Sequence, residues 1–387
     1  MAVCGRWQEL SSAFRGPLAL AAFAAPLFGC ATLFPPRPEV PAGPRALDAA
    51  SPEERAEYVR RAQVWMPIDT ASADLLAGPR GRDAFAHLEE VACDVDPKAE
   101  KSGATPKFHC IVAPGDSVKV KYGAANREVY GEVAATRLFW ALGFGADRQY
   151  PVRVTCRGCP PDPWHSDLPA PGSTHTFDPA IMERDASGKA IKVRKLPKGW
   201  EWSELQTIDQ RAGGAPLAHV DALRLLAAFV QHGDNKREQQ SLLCLPGGVE
   251  RAADGGETCT RPFLATTDLG TTFARAALRN GNKFELHHWS EVPVWKDPRR
   301  CIAKLKRSLT GTFSDPAISE AGRAFLAERL MQLSRSQVRD LFVAARADHA
   351  ADRIRSADGG WRPATADDWT ETFLRRRAEI VEHRCPE

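Results

Sequence analysis

The chain has 387 residues, of which 43% are hydrophobic and 26% are charged, proportions that are typical of a globular protein. Its 52 basic and 49 acidic residues give a formal net charge of +3. This balance argues against a nucleic-acid partner, because such proteins carry a clustered basic face. The length allows one two-lobed domain or two ordinary domains.

The N-terminus has the pattern of an export signal. Two arginines within residues 1–16 precede an apolar, uncharged run over residues 17–28, which is shorter than the roughly 20 residues that span a bilayer. The run ends in Leu27-Phe28-Gly29-Cys30, which resembles the bacterial lipobox. We therefore expect a signal peptide over residues 1–29 and a lipid on Cys30. Ordinary signal cleavage, which would leave a soluble periplasmic protein, is the alternative.

A proline-rich segment follows the expected lipid. Residues 30–50 contain five prolines between positions 35 and 44, and proline is excluded from helix interiors and central strands. Such a segment is a semi-rigid, extended tether. We therefore expect an exported lipoprotein of the cell envelope, which meets a bacterial membrane through its lipid and holds its body on the periplasmic or surface face.

The cysteines predict disulfides. The chain has ten cysteines, and eight remain when Cys4 leaves with the signal and Cys30 carries lipid. An even count in an exported chain favours bridges. Local spacing favours four pairs, which are Cys93–Cys110, Cys156–Cys159, Cys244–Cys259 and Cys301–Cys385. The pair at 156 and 159 could instead be a redox motif or half of a zinc site, although no second ligand pair has suitable sequence spacing.

The hydrophobic pattern predicts an α+β fold. We expect helical structure over 51–92, where Ser51-Pro52-Glu53-Glu54 is a start signal, and a hairpin over 107–122 around Pro114-Gly115-Asp116. Further along the chain, a change of hydrophobic period separates a strand-rich part from a mainly helical part. The remaining predicted elements are a helix at 127–142, a strand at 151–156, a loop at 160–175, a strand at 177–183, an apolar helix at 216–231 and a strand pair at 241–245 and 262–267.

Five polar residues have the order that phosphoryl transfer requires. This chemistry needs a cation on the phosphates, a carboxylate that fixes the cation, a base for the attacking hydroxyl and two metal ligands. Protein kinases supply these from a strand, a helix and two loops, in that order. The residues of this chain in that order are Lys121 in a strand, Glu132 in the next helix, Asp234, Gln239 five residues later and Asp268 before Leu269-Gly270.

The segment HGDNKREQQSLLC, followed by FLATTDLG, resembles the catalytic and metal loops of HipA-type kinases and, more distantly, those of phosphoinositide kinases and secretory-pathway kinases. The resemblance extends over about residues 105–275. Gln239 stands where that family has Asn. The positions that match the family pattern are Asp234, Gln239, Gln240, Ser241 and Leu242, together with Glu132, Leu142 and Gly143.

The resemblance implies a two-lobed kinase-like fold. Residues 51–183 would form a small β-rich N-lobe with a preceding helical segment, and residues 184–387 a mainly helical C-lobe. Lys121, held by Glu132, would bind the phosphates of ATP or another nucleotide, and Asp234 would orient or deprotonate an acceptor hydroxyl. Gln239 and Asp268 would hold Mg²⁺ or Mn²⁺. The acceptor would be a protein, a glycan or a small molecule.

Two other functions fit the same sequence. The first is a catalytically inactive kinase-like lipoprotein that binds a partner at the envelope. The second is a redox lipoprotein that acts through Cys156 and Cys159. Nucleotide binding distinguishes the first from an active kinase, and the reduction potential of the cysteine pair tests the second.

Overall fold

A closed five-stranded barrel and a mainly helical region make up most of the molecule. The computed structural model describes residues 45–276, 283–356 and 358–386. The predicted signal peptide, Cys30 and the tether up to residue 44 therefore lie outside the described residues. The last residues of the predicted tether pack on the body, where the amide of Ala50 donates to the carbonyl of Lys192 at 2.9 Å.

The bounds of the regular elements follow in chain order. The helices are α1 Pro52–Arg60, α2 Glu128–Ala141, α3 Leu217–Phe229, α4 Leu286–Glu291, α5 Glu320–Met331, α6 Arg335–Ala344 and α7 Ala366–Val381. The strands are β1 Glu89–Val95, β2 Lys107–Ala113, β3 Asp116–Tyr122, β4 Gly145–Ala146, β5 Arg148–Arg157, β6 Thr174–Arg184, β7 Lys189–Ala190, β8 Gln240–Cys244, β9 Val249–Arg251, β10 Glu257–Cys259, β11 Pro262–Thr266, β12 Trp295–Asp297, β13 Ile302–Ala303, β14 Arg353–Arg355 and β15 Trp361–Pro363.

The barrel has the strand order β1-β2-β3-β6-β5 and closes where β1 pairs in parallel with β5. The expected hairpin is present as β2 and β3, and Gly115 at its turn has a φ of +78°, which is the left-handed region that glycine enters without strain. Because side chains alternate along a strand, Val118 and Val120 belong to the buried barrel core, while Lys119 and Lys121 lie on the opposite face.

The prediction of helical structure over 51–92 is correct up to Arg60 and wrong beyond it. Only α1 is an α-helix there, and it begins at the expected signal, because Ser51 Oγ accepts from the Glu54 amide at 3.1 Å and Glu54 accepts from the Ser51 amide at 2.6 Å. Pro67 and Pro79, which lack the amide donor that a helix needs, interrupt the rest. Residues from Glu89 onward are the first barrel strand.

The other predicted elements lie close to their expected bounds. The expected helices at 127–142 and 216–231 are α2 and α3, and the strand pair is β8 and β11, joined to β4 and β7 in a four-stranded sheet. Mixed helix and sheet content confirms the α+β class. Residues Gly43–Glu387 form one compact unit, and the division into two lobes stays a prediction. In the described part of the chain, no helix combines the length and the apolar character needed to cross a membrane.

The four favoured disulfides are present. Cys93 lies opposite Cys156 in the register of β1 and β5, so the bridges Cys93–Cys110 and Cys156–Cys159 are neighbours in the barrel core. The Sγ atoms of Cys93, Cys110 and Cys156 lie within 4.8 Å of one another. A second sulfur pair, which sequence spacing does not reveal, is thus close in space, and here both pairs form disulfides.

Candidate active site

The first residue of the candidate site, Lys121, lies on strand β3. Lys121 points away from the barrel core and is only 2% exposed. Its ammonium group donates to Oε1 of Glu132 and lies 3.5 Å from Oε2 of Glu128. Glu128 and Glu132 are four residues apart on α2, so they lie on one helix face. The structure therefore brings the strand lysine and the helix glutamate together in a buried ion pair.

The segment after β11 adds a partly exposed carboxylate to this ion pair. The carboxylate of Asp268 accepts a 3.2 Å hydrogen bond from the amide of Gly270, and its charge acts on both Lys121 and Glu132. A Cβ at Gly270 would lie 2.7 Å from the Glu128 side chain, so glycine allows this segment to approach α2. We call Lys121, Glu128, Glu132 and Asp268 the Lys121 cluster.

The charges in the Lys121 cluster shift one another strongly. Burial alone would lower the pKa of Lys121, but Asp268, Glu132 and Glu128 outweigh burial and raise that pKa well above its usual value. Burial raises the pKa of Glu132 well above its usual value, with Lys121 opposing and Asp268 adding to the rise. Burial also acts against the charged form of Asp268, yet Lys121 and the Gly270 amide lower the pKa of Asp268. Burial and the neighbouring charges therefore act together on the protonation of each group in the cluster.

Asp234 follows α3 in the turn His232-Gly233-Asp234-Asn235, which we call the Asp234 turn. Gln239 donates from Nε2 to Oδ2 of Asp234 at 3.1 Å, and Lys236 lies 3.3 Å from the same oxygen. Thr310, which is distant in sequence, donates from Oγ1 to Oδ1 at 2.9 Å. The two carboxylate oxygens of Asp234 therefore have different partners.

Gln239 connects the Asp234 turn to Asp268. Its carbonyl accepts hydrogen bonds from the amides of Thr267 at 2.8 Å and Asp268 at 3.3 Å, while its side chain bonds to Asp234. Gln239 and Asp268 both line a cleft of about 250 Å³. Mg²⁺ prefers oxygen ligands, so an amide oxygen and a carboxylate in one cleft fit a divalent ion. Lys121, Glu132 and Asp234 are not among the described residues that line this cleft.

The cleft contains a second ionic group, which the sequence analysis missed. Lys119 forms an ion pair with Glu183 directly across β3 and β6, and Gln149 donates to Glu183 at 3.0 Å. Asp147 accepts from the amide of Ala186 at 2.7 Å, and burial, followed by the charge of Glu183, raises its pKa well above its usual value. Two sequence patterns could have identified the additional charged residues Lys119 and Glu128. Lys119 shares the strand face of Lys121, and Glu128 shares the helix face of Glu132.

Comparisons with known proteins add little. No protein-family model matches the chain, and no curated protein matches it. Among solved structures, it is similar to a Helicobacter pylori proinflammatory kinase, CtkA, with 10% sequence identity, coverage of 76% of this chain and 96% of that chain, and a TM-score of 0.41. A TM-score of 0.41 is too low for this likeness to indicate a function.

Proposed function

We propose that this protein is a metal-dependent phosphotransferase with a two-lobed, kinase-like arrangement, related to HipA-type kinases, which transfers a phosphoryl group from a nucleotide to a hydroxyl acceptor. The observation that carries the proposal is the convergence in the Lys121 cluster. Lys121, Glu132 and Asp268 come from a strand, a helix and a loop that are separated by up to about 150 residues of sequence, and yet their charges meet in one group, in which Lys121 and Glu132 are buried. Chance placement on unrelated surfaces would leave them apart.

Each residue has a role that its contacts support. Lys121, fixed by Glu132, would bind the α- and β-phosphates. Asp234 would orient the acceptor hydroxyl and take its proton, and its Oδ1 already accepts from a hydroxyl group. Gln239 and Asp268 would hold Mg²⁺ or Mn²⁺ as oxygen ligands. The metal, when bound, neutralises charge on the phosphates.

The proposal is tested by nucleotide binding. We expect ATP or another nucleoside triphosphate, with Mg²⁺ or Mn²⁺, to raise the melting temperature of the purified protein, because a ligand that binds only the folded state stabilises it. Asp268→Asn should lose the metal-dependent part of this shift. Arg335→Gln, which changes an exposed residue of α6, is the control. The proposal fails if no nucleotide stabilises the native protein at millimolar concentration with either metal.

The second candidate function is binding without turnover. The wall of the cleft favours it, because the charged groups of Lys119, Glu183 and Asp147 lie there and a nucleotide base packs better on apolar or aromatic surface. In that case the protein would bind an envelope partner through the same kinase-like body. Absence of phosphoryl transfer from a folded protein that shows no metal-dependent stabilisation by nucleotide would favour this function.

Envelope anchoring is a separate part of the proposal and is supported by the sequence before residue 45. A lipid on Cys30 would keep the enzyme at a membrane, since each buried CH₂ contributes about 0.8 kcal/mol. Metabolic labelling with a palmitate analogue should mark the wild-type protein and not Cys30→Ser. Equal labelling of both would show that Cys30 is not the lipid site.

A further inference from the structure

A loop of the helical region covers the candidate base. Residues 304–316, which we call the Thr310 loop, join the Asp234 turn through the buried side chain of Asn235. The Oδ1 atom of Asn235 accepts from the amides of Thr312 and Phe313, both at 2.9 Å, and its Nδ2 donates to the carbonyl of Phe313 at 3.0 Å. Phe313 also stacks on Trp202, with 4.5 Å between the ring centroids.

The approach of the loop to the turn is unusually close. The amide of Ser308 donates to the carbonyl of Gly233 at 3.1 Å. A Cβ at Gly311 would lie 2.7 Å from that same carbonyl and 2.9 Å from Oδ1 of Asn235, so only glycine fits there without a shift. The position of the loop is therefore fixed from both sides of Thr310.

This anchoring presents one hydroxyl to the base. Thr310 donates from Oγ1 to Oδ1 of Asp234 at 2.9 Å, the geometry in which a general base takes a proton. The other carboxylate oxygen is held by Gln239 and Lys236. Thr310 and its neighbour Leu309 are exposed, so a threonine side chain at the surface has its oxygen at the candidate catalytic carboxylate.

We propose that Thr310 is a phosphoacceptor of the chain itself, so that the Thr310 loop is an intramolecular threonine substrate of the proposed phosphotransferase. The inference rests on the proposed function and extends it to a class of acceptor. The threonine oxygen bonds to the terminal phosphorus of a nucleoside triphosphate, the bond from that phosphorus to the bridging oxygen breaks, and the nucleoside diphosphate leaves with the electron pair. The hydroxyl proton passes to Oδ1 of Asp234.

A purely structural role makes a different prediction. If Thr310 only orients Asp234, its loss would change transfer to other hydroxyl groups and leave no phosphate at position 310. Thr310→Ser keeps a hydroxyl at this place, and Thr310→Val keeps the shape without the oxygen. Ser314→Ala, an exposed position in the same loop, is the matched control.

The experiment incubates the purified full chain with ATP and Mg²⁺ or Mn²⁺ and then maps phosphate by mass spectrometry. We expect one phosphoryl group at residue 310 in the wild-type protein, in Ser314→Ala and in Thr310→Ser, and none in Thr310→Val. Because the transfer is intramolecular, its rate should not change when the protein is diluted.

Two results would overturn the inference while the proposed function stands. The first is equal phosphate incorporation in Thr310→Val and the wild-type protein, and the second is a rate that rises with protein concentration. If nucleotide stabilises the protein but no phosphate is incorporated, Thr310 is not an acceptor. If no nucleotide stabilises the wild-type protein with either metal, the proposed function fails and this inference fails with it.

Discussion

The Lys121 cluster and the Asp234 turn hold their functional groups in different ways. Lys121 and Glu132 are buried, and their ion pair is enclosed by α2 and the barrel. Asp234 is held by hydrogen bonds from Gln239 and from a loop whose Thr310 is exposed. Charges are costly to bury unless they are paired. Removal of one partner in the Lys121 cluster should therefore strongly lower the free energy of unfolding. Loss of a hydrogen-bond partner in the Asp234 turn should lower the free energy of unfolding only slightly.

The largest effect should come from removing the lysine of the Lys121 cluster. Lys121→Met leaves the carboxyl group of Glu132 buried without its ion-pair partner, and loss of one partner of a buried pair typically costs about 3–5 kcal/mol. The measurement is the free energy of unfolding in urea. Arg335→Met, which breaks an exposed pair with Glu371, should leave the unfolding midpoint unchanged. Equal free energies of unfolding for Lys121→Met and Arg335→Met would mean that the ion pair of Lys121 and Glu132 is exposed to solvent.

An intermediate effect should come from acid, through His232 at the start of the Asp234 turn. This side chain is fully buried, its ring nitrogens have no hydrogen-bond partner among the described residues, and burial lowers its pKa from 6.5 to about 4. The unfolded state therefore binds the proton more readily. The contribution to stability is complete above pH 6.5 and is lost as the pH falls towards 4, with a maximum of about 3 kcal/mol.

The histidine contribution is measured as a difference between variants. Urea unfolding of wild type and His232→Phe at several pH values between 4 and 7 should show a weaker pH dependence in the variant. Ser314→Ala, at an exposed position without a titratable group, is the control and should retain the wild-type dependence. Parallel curves for wild type and His232→Phe would mean that folding does not lower the pKa of this histidine.

The smallest effect on stability should come from the aspartate of the turn itself. Asp234→Asn keeps the shape of the side chain and loses a partly exposed ion pair with Lys236, so we expect a loss of about 1 kcal/mol or less. Transfer to any acceptor should nevertheless be abolished while nucleotide binding is retained. Thermal unfolding together with a phosphate-incorporation assay measures both. A loss of stability as large as that of Lys121→Met would remove the distinction between the two regions.

The sequence determined those features that depend on neighbours along the chain. The hairpin at Pro114-Gly115, helix α2 and the close pairs Cys156–Cys159 and Cys93–Cys110 follow from turn residues, hydrophobic period and short separation. The order of lysine, glutamate and two aspartates was also visible. The expected helix after Arg60 did not form, because Gln63 and Trp65 pair with Phe263 and Phe144, which are distant in sequence.

The tertiary structure alone decided which distant groups meet. It closed the barrel through the parallel pairing of β1 and β5, which placed the bridge at Cys93 beside that at Cys156. It also pairs Lys119 with Glu183. Thr310 donates to Asp234, although the two residues are 76 positions apart in the sequence. Periods of 2 and 3.6 residues fix which side chains share a face of one element. Which faces then pack together depends on how the whole core buries its apolar surface, and a single sequence pattern does not contain that choice.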